Sequence, residues 1–148
     1  MKPLTVFEII QLLQQYHQRR QENYQRLAEG ATDARTATLL NHLVELEAMA
    51  LRIIGGELAQ FSPDHSSYLS SGPELNIDPA HAADCRCGSA PSFEDALGCA
   101  LNSDLAVFDM IDRLGGSSAA ASVQELATRL RELEETKDRQ IARFTRPD

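Results

Sequence analysis

Apolar residues recur every three to four positions in four long segments of the chain, and no segment alternates polar and apolar residues for long enough to indicate a β-strand. The predicted fold class is therefore all-α. The predicted helices cover residues 5–29, 32–61, 92–114 and 119–144. Gly30 is expected to end the first helix. Thr32 or Asp33 is expected to cap the second helix, and Ser92 the third.

Residues 62–91, between the second and third predicted helices, contain four of the six prolines and many Ser, Asp and Gly residues. No period is sustained there, so the segment is predicted to be a long crossover loop. The other two connections are short, which predicts that each pair of consecutive helices is antiparallel. We therefore expect a single domain over residues 1–148, a four-helix bundle of two antiparallel hairpins joined by the crossover.

Two glutamates lie on the apolar faces of these helices. Because an α-helix turns by about 100° per residue, Glu47 falls in the same sector as Leu43 and Ile54 and is expected to be buried. Glu134 occupies the matching place in the fourth helix, 87 positions later. A buried carboxylate is strongly unfavourable unless a cation, a metal or hydrogen-bond donors compensate it. The pattern therefore predicts a partner for each glutamate.

The stretch YHQRRQENYQRLAEGATDARTATLLNHLVELEAMALRI resembles the first hairpin of the ferritin-like, specifically rubrerythrin-like, family. Tyr24 lies seven residues after the ligand position of the first helix, and a short turn leads to the Leu-x-x-x-Glu pattern of Leu43 and Glu47. ALGCALNSDLAVFDMIDRL and LRELEETKDRQIARF carry a weaker likeness. The family holds a di-iron site between its helices, with one glutamate from each of helices one and three and a Glu-x-x-His from each of helices two and four. The resemblance implies a ferritin-like bundle.

The ligand set implied by the resemblance is largely missing from this chain. The six ligand positions fall on His17, Glu47, Ala50, Leu101, Glu134 and Lys137. Only Glu47 and Glu134 match the family. Ala50 and Leu101 have no donor atom, and Lys137 places a cation where a metal ligand is expected. We therefore expect a degenerate di-iron site and no cofactor.

The helical phase predicts a buried ion network in the middle of the bundle. Its expected members are Arg20, Glu47, Asp104, Glu134 and Lys137. In one interpretation Lys137 or Arg20 pairs with Glu47 in a structural ion pair. In another, these two long side chains extend to solvent at the edge of the bundle.

A metal site remains the alternative for the same region. His17, Glu47 and Glu134 supply one imidazole and two carboxylates, a set that suits iron, manganese or zinc with open coordination positions. The corresponding functional alternative is a metalloprotein acting as an oxidase, a peroxidase or a metal-handling protein.

The crossover contains a second, weaker candidate. His81, Cys85 and Cys87 form the pattern H-x-x-x-C-x-C. A zinc site usually has four ligands and often a C-x-x-C spacing, so a metal or thiol site competes here with a solvated acidic loop.

Composition and charge exclude several classes of function. The net charge is −8 over 148 residues, and no basic cluster indicates a nucleic-acid partner. No apolar run approaches the ~20 residues of a membrane span, and the N-terminus lacks the apolar core of a signal peptide, so a cytoplasmic location is expected. No phosphate-binding loop or nucleophile motif is present. We expect a binding or assembly protein rather than an enzyme, acting as a homodimer.

Overall fold

The computed structural model describes residues 5–60, 91–116 and 121–143. The described residues form the α-helices α1 (Val6–Glu29), α2 (Ala34–Gln60), α3 (Phe93–Gly116) and α4 (Ala121–Ala142). The predicted all-α class is confirmed over these residues, and the helix ends differ from the predicted ones by no more than two positions. Of the predicted crossover, only Pro91 lies within the described residues.

Side-chain caps explain where the first three helices begin. The Thr5 hydroxyl accepts a hydrogen bond from the Glu8 backbone N–H at 3.1 Å, and the Glu8 carboxylate accepts one from the Thr5 backbone. This reciprocal capping box satisfies two backbone donors that the helix leaves unpaired. Asp33 accepts hydrogen bonds from the Thr36 N–H and hydroxyl, both at 2.8 Å. Ser92 likewise accepts one from the N–H three residues later.

The helices pack as two hairpins that contact each other. α1 packs along α2 and α3 packs along α4, and α2 also contacts both α3 and α4. The turn at residues 30–33 is short, and His17 contacts Glu47 across the hairpin. His17 lies about as many residues before the end of α1 as Glu47 lies after the start of α2. Two contacting residues at about equal distances from the connecting turn mean that the two helices are antiparallel.

Two clusters of buried apolar side chains form the core, one towards each end of the helices. The first, which we call the lower cluster, includes Val6, Ile9, Ile10, Leu13, Tyr16, Ala50, Ile54, Val107, Met110, Ile111, Leu114, Val123, Leu126, Ala127, Leu130 and Leu133. The second, the upper cluster, includes Tyr24, Leu27, Leu39, Leu40, Leu43, Leu46, Ala96, Ala100 and Ile141. On α1, α2 and α4 the two clusters are separated by buried charged residues, which build the candidate site.

Every helix in the described part of the chain falls short of the apolar length needed to cross a lipid bilayer.

Candidate functional site

The charged residues between the two clusters form what we call the ionic layer. Its members are His17 and Arg20 on α1, Glu47 on α2, and Glu134 and Lys137 on α4. None of these residues is more than 2% exposed. The interpretation in which Arg20 and Lys137 extend to solvent is therefore wrong, because their whole side chains are enclosed between the apolar clusters.

Helical periodicity brings these residues to one level of the molecule. Residues three positions apart lie on the same helix face, so α1 presents His17 together with Arg20, and α4 presents Glu134 together with Lys137. Each pair interrupts the apolar stripe of its helix for one turn. Glu47 interrupts the stripe of α2 in the same way, between Leu46 and Ala50.

His17 bridges the two glutamates. Its Nδ1 contacts Oε2 of Glu47, and its Nε2 lies 2.6 Å from Oε1 of Glu134. An ionised carboxylate only accepts hydrogen bonds, so each ring nitrogen has to donate. The geometry therefore requires an imidazolium with a proton on both nitrogens, held between α2 and α4.

Lys137 bridges the same two glutamates through their other oxygens. Its Nζ donates to Oε1 of Glu47 at 3.1 Å and lies 3.2 Å from Oε2 of Glu134. Together with the imidazolium of His17, the ammonium closes a ring of alternating charges. Each of the four carboxylate oxygens therefore faces one of two cations.

Arg20 supports this ring from α1. Its Nε lies 3.5 Å from Oε1 of Glu47, and its Nη2 donates to the Tyr24 hydroxyl and, at 3.3 Å, to the Ala100 carbonyl of α3. The guanidinium also lies over the rings of Tyr24 and Tyr16, with Cζ at 4.9 and 5.5 Å from the ring centroids. Arg20 thus connects the ionic layer to α3 and to both aromatic rings.

The electrostatics of the layer favour the charged form of His17. Burial by itself lowers the pKa of the imidazole, but the negative charges of Glu134 and Glu47 outweigh it and raise the pKa from 6.5 to about 9. The positive charge of Lys137 acts against this rise. His17 is therefore a cation at neutral pH despite being fully enclosed.

The two glutamates are held in their ionised form. Burial raises the pKa of Glu47, yet the charges of Lys137 and His17 more than compensate and bring that pKa well below its usual range. The same two cations lower the pKa of Glu134 against the opposing effect of burial. Both carboxylates of the layer are therefore ionised at neutral pH.

The residues present do not fit the di-iron centre implied by the family resemblance. Ala50 is fully buried and has no donor atom, and the Lys137 ammonium lies between the two remaining glutamates. Among the described residues, no group of three or more His, Cys, Asp or Glu side chains is arranged to hold a metal ion. The two glutamate oxygens that contact His17 face opposite nitrogens of its ring, so these two oxygens do not converge.

Several predicted candidates fall outside the described part of the chain. Asp104 belongs to α3, but its side chain is not among the described ones. His81, Cys85 and Cys87 lie in the segment 61–90, outside the described residues. Leu101, the predicted ligand position of the third helix, is partly buried against the upper cluster.

One ion pair between α2 and α4 was not anticipated from the sequence. Arg129 binds the Glu57 carboxylate through two hydrogen bonds, from Nε at 2.8 Å and from Nη2 at 2.9 Å. Glu57 lies near the apolar sector of α2. Gly55 and Gly56 precede it, and because paired glycines can end a helix, the sequence alone leaves the helical phase at Glu57 uncertain. Because α2 continues through both glycines to Gln60, the phase is kept and Glu57 faces α4.

Comparison with known proteins gives no match to a family model, to a curated protein or to a solved structure. The ionic layer therefore has to be interpreted from its own geometry.

Proposed function

We propose that this chain is a ferritin-like four-helix bundle in which side-chain cations hold the two central carboxylates, and that it acts without catalysis as a binding or assembly protein of the cytoplasm. Three features support this proposal. The helices pack as two hairpins, the family-like glutamates lie at their centre, and both glutamates contact His17 and Lys137. The apolar clusters enclose this centre on both sides.

The position of Lys137 is the observation that carries the proposal. Its ammonium is completely buried and lies within 3.2 Å of one oxygen of each glutamate. A divalent metal bound by the same oxygens would have to lie within a few ångströms of this ammonium, where Coulomb repulsion is strong. A bundle with this residue is suited to structural and surface roles rather than to metal-dependent redox chemistry.

A second candidate is a metalloprotein with a reduced site, acting as an oxidase, a peroxidase or a metal-handling protein. It is favoured by the meeting of His17, Glu47 and Glu134 in one enclosed layer. One imidazole and two carboxylates are a ligand set that iron, manganese and zinc accept. This candidate requires the two glutamates to turn away from His17 and converge on the ion.

Metal content separates the two candidates. The protein is produced in medium supplemented with iron, manganese and zinc, purified without chelators, and analysed for metal per chain. The first proposal predicts far less than one ion per chain. One ion per chain that is lost in Glu47→Gln and kept in Glu57→Gln would establish the metalloprotein instead. The Glu57 variant is a matched control, because it makes the same change on the same helix outside the ionic layer.

We further propose that the chain assembles as a homodimer through its helix faces. Among the described residues, the large apolar side chains that are exposed are Leu105 on α3, at 67%, and Ile53 on α2, at 42%. Burial of such side chains favours association. Light scattering is expected to give twice the mass of one chain, and Leu105→Lys to give a larger monomer fraction. A monomer at all concentrations tested would refute the dimer.

A further inference from the structure

We infer that Lys137 is a built-in occupant of a two-carboxylate cation site, and that a divalent metal ion binds between Glu47 and Glu134 once this side chain is replaced by one without positive charge. This inference rests on the proposed function, in which side-chain cations hold the two glutamates. It adds the class of ion that would take the place of the lysine side chain.

Geometry shows that the ammonium marks a single cation position. Oε1 of Glu47 and Oε2 of Glu134 come from different helices, yet both lie within 3.2 Å of the same Nζ atom. The two oxygens therefore already face a common point. A metal ion at that point needs oxygen distances of about 2.0–2.2 Å, which both carboxylates reach by moving about 1 Å towards it.

The surroundings keep this pair of carboxylates in place when the lysine is changed. The remaining oxygens, Oε2 of Glu47 and Oε1 of Glu134, are held by His17. Arg20 lies beside Glu47 at 3.5 Å and is itself fixed by Tyr24. Carboxylates that bind metals in natural sites are likewise held in place by hydrogen bonds. The change at Lys137 therefore removes the competing cation and leaves the two ligands oriented.

The side chain at position 137 lies on the same face of α4 as Glu134, three residues earlier. A histidine introduced there would offer a donor atom close to the place of the ammonium. Its imidazole and the two carboxylates would form a mixed nitrogen and oxygen set, which suits Zn²⁺ and Mn²⁺. Lys137→His is thus expected to bind the ion more tightly than Lys137→Met, which offers no such donor.

The charge of the tethered ammonium explains why the unaltered chain excludes the ion. The ammonium competes for the same two oxygens, and its attachment to α4 gives it a high effective concentration at the site. An incoming divalent ion would also be repelled by an enclosed like charge. Lys137→Arg keeps that charge and is expected to exclude metal as the unaltered chain does.

Calorimetric titration with Zn²⁺ tests the inference on the full chain. Lys137→His is expected to bind one ion per chain on the order of 100-fold or more tighter than the unaltered protein, with Lys137→Met intermediate and Lys137→Arg like the unaltered protein. The double variant Lys137→His with Glu134→Gln should lose the gain. Equal weak binding by the unaltered protein, Lys137→His and Lys137→Met would overturn the inference and leave the proposed function standing.

Two further outcomes are decisive. Tight binding of one ion by the unaltered protein would overturn the proposed function itself, because the lysine would then not exclude metal. If Lys137→His has lost its helical circular dichroism in metal-free buffer, the inference requires that Zn²⁺ restores it, since binding to the folded form stabilises that form. A variant that stays unfolded at saturating Zn²⁺ contradicts the inference.

Discussion

Glu47 and Glu57 lie on the same helix and both pair with cations of α4, but their surroundings differ. Glu47 is enclosed and contacts Lys137, while the partner of Glu57 is Arg129, whose side chain is 49% exposed. A buried ion pair contributes little net stability, yet removal of one partner leaves the other charge unpaired in a dry environment. The Glu57 side chain is 11% exposed, so this pair is partly screened by water and contributes less than a fully enclosed one.

The two carboxylates should therefore respond differently to neutralisation. Glu47→Gln is expected to lower the free energy of unfolding by about 3–5 kcal/mol, because Lys137 and His17 lose their shared negative partner. Glu57→Gln is expected to lower it by about 1 kcal/mol or less. Urea denaturation of both variants measures the difference. Equal losses for the two would mean that Glu47 is not the centre of a buried network.

Stability should also depend on pH through His17. Below the unfolded-state pKa of 6.5, the imidazole is protonated in both states and its pairing with the glutamates contributes fully. Because the folded-state pKa is raised to about 9, the unfolded chain loses this proton first as the pH rises. The free energy of unfolding should therefore fall between pH 6.5 and about 9, by at most about 1.4 kcal/mol per pH unit.

Thermal unfolding from pH 6 to pH 10 measures this dependence. The decrease should disappear in His17→Gln and persist in His42→Gln, which changes a histidine on α2 outside the ionic layer. An unchanged decrease in His17→Gln would show that another group is responsible.

At the residue scale, the sequence was sufficient to find the buried glutamates but not to identify their full set of partners. Glu47 and Glu134 interrupt regular apolar stripes, so helical phase alone indicated their burial. The bridging by His17 depends on the distance and rotation between α1, α2 and α4, which no single-helix pattern contains. The same is true of the bond from Arg20 to the Ala100 carbonyl.

At the scale of elements, the helices were predictable because local signals agree. Thr5, Asp33 and Ser92 each cap the helix that follows them, and the apolar period continues between the caps. Paired glycines often end a helix. Here α2 continues through Gly55 and Gly56 without a break.

This continuity gives a prediction about α2. Among the described residues other than the immediate chain neighbours, no side-chain or distant backbone atom would lie within 4 Å of a Cβ at Gly55 or Gly56. Alanine should therefore fit at both positions and stabilise the protein by about 0.5–1 kcal/mol each, because glycine loses more backbone entropy in a helix. At Gly115 the added Cβ would lie 3.2 Å from the Ala127 Cβ.

Gly115→Ala is thus the matched control, with a smaller gain or a loss expected from the close contact with α4. Urea denaturation of the three single variants checks the order. A destabilising effect of both Gly55→Ala and Gly56→Ala would mean that the flexibility of α2 at this point is needed for folding.

At the scale of the whole molecule, the ionic layer connects what the two apolar clusters separate. Its residues come from α1, α2 and α4, and Arg20 extends it to the backbone of α3. Both hairpins therefore contribute to one enclosed centre. Apolar contacts are non-directional, whereas the contacts in the ring of charges are directional, so we expect the layer to favour one register between the hairpins more than it adds net stability.

The packing of one hairpin on the other was the part of the fold that the sequence predicted least directly. The overlay of Glu47 on Glu134 suggested that the two meet, but apolar periodicity is compatible with several helix arrangements. In the structure, the two glutamates lie on either side of His17.

The protonation state of His17 tests the central claim most directly, because a doubly protonated ring in the core exists only if both glutamates hold it. Long-range ¹H–¹⁵N spectra of labelled protein at pH 7.5, assigned by comparison with His17→Gln, report each ring nitrogen. Two protonated nitrogens are predicted, since the pKa is raised to about 9. A neutral or metal-bound ring, with one nitrogen lacking a proton, would contradict the account.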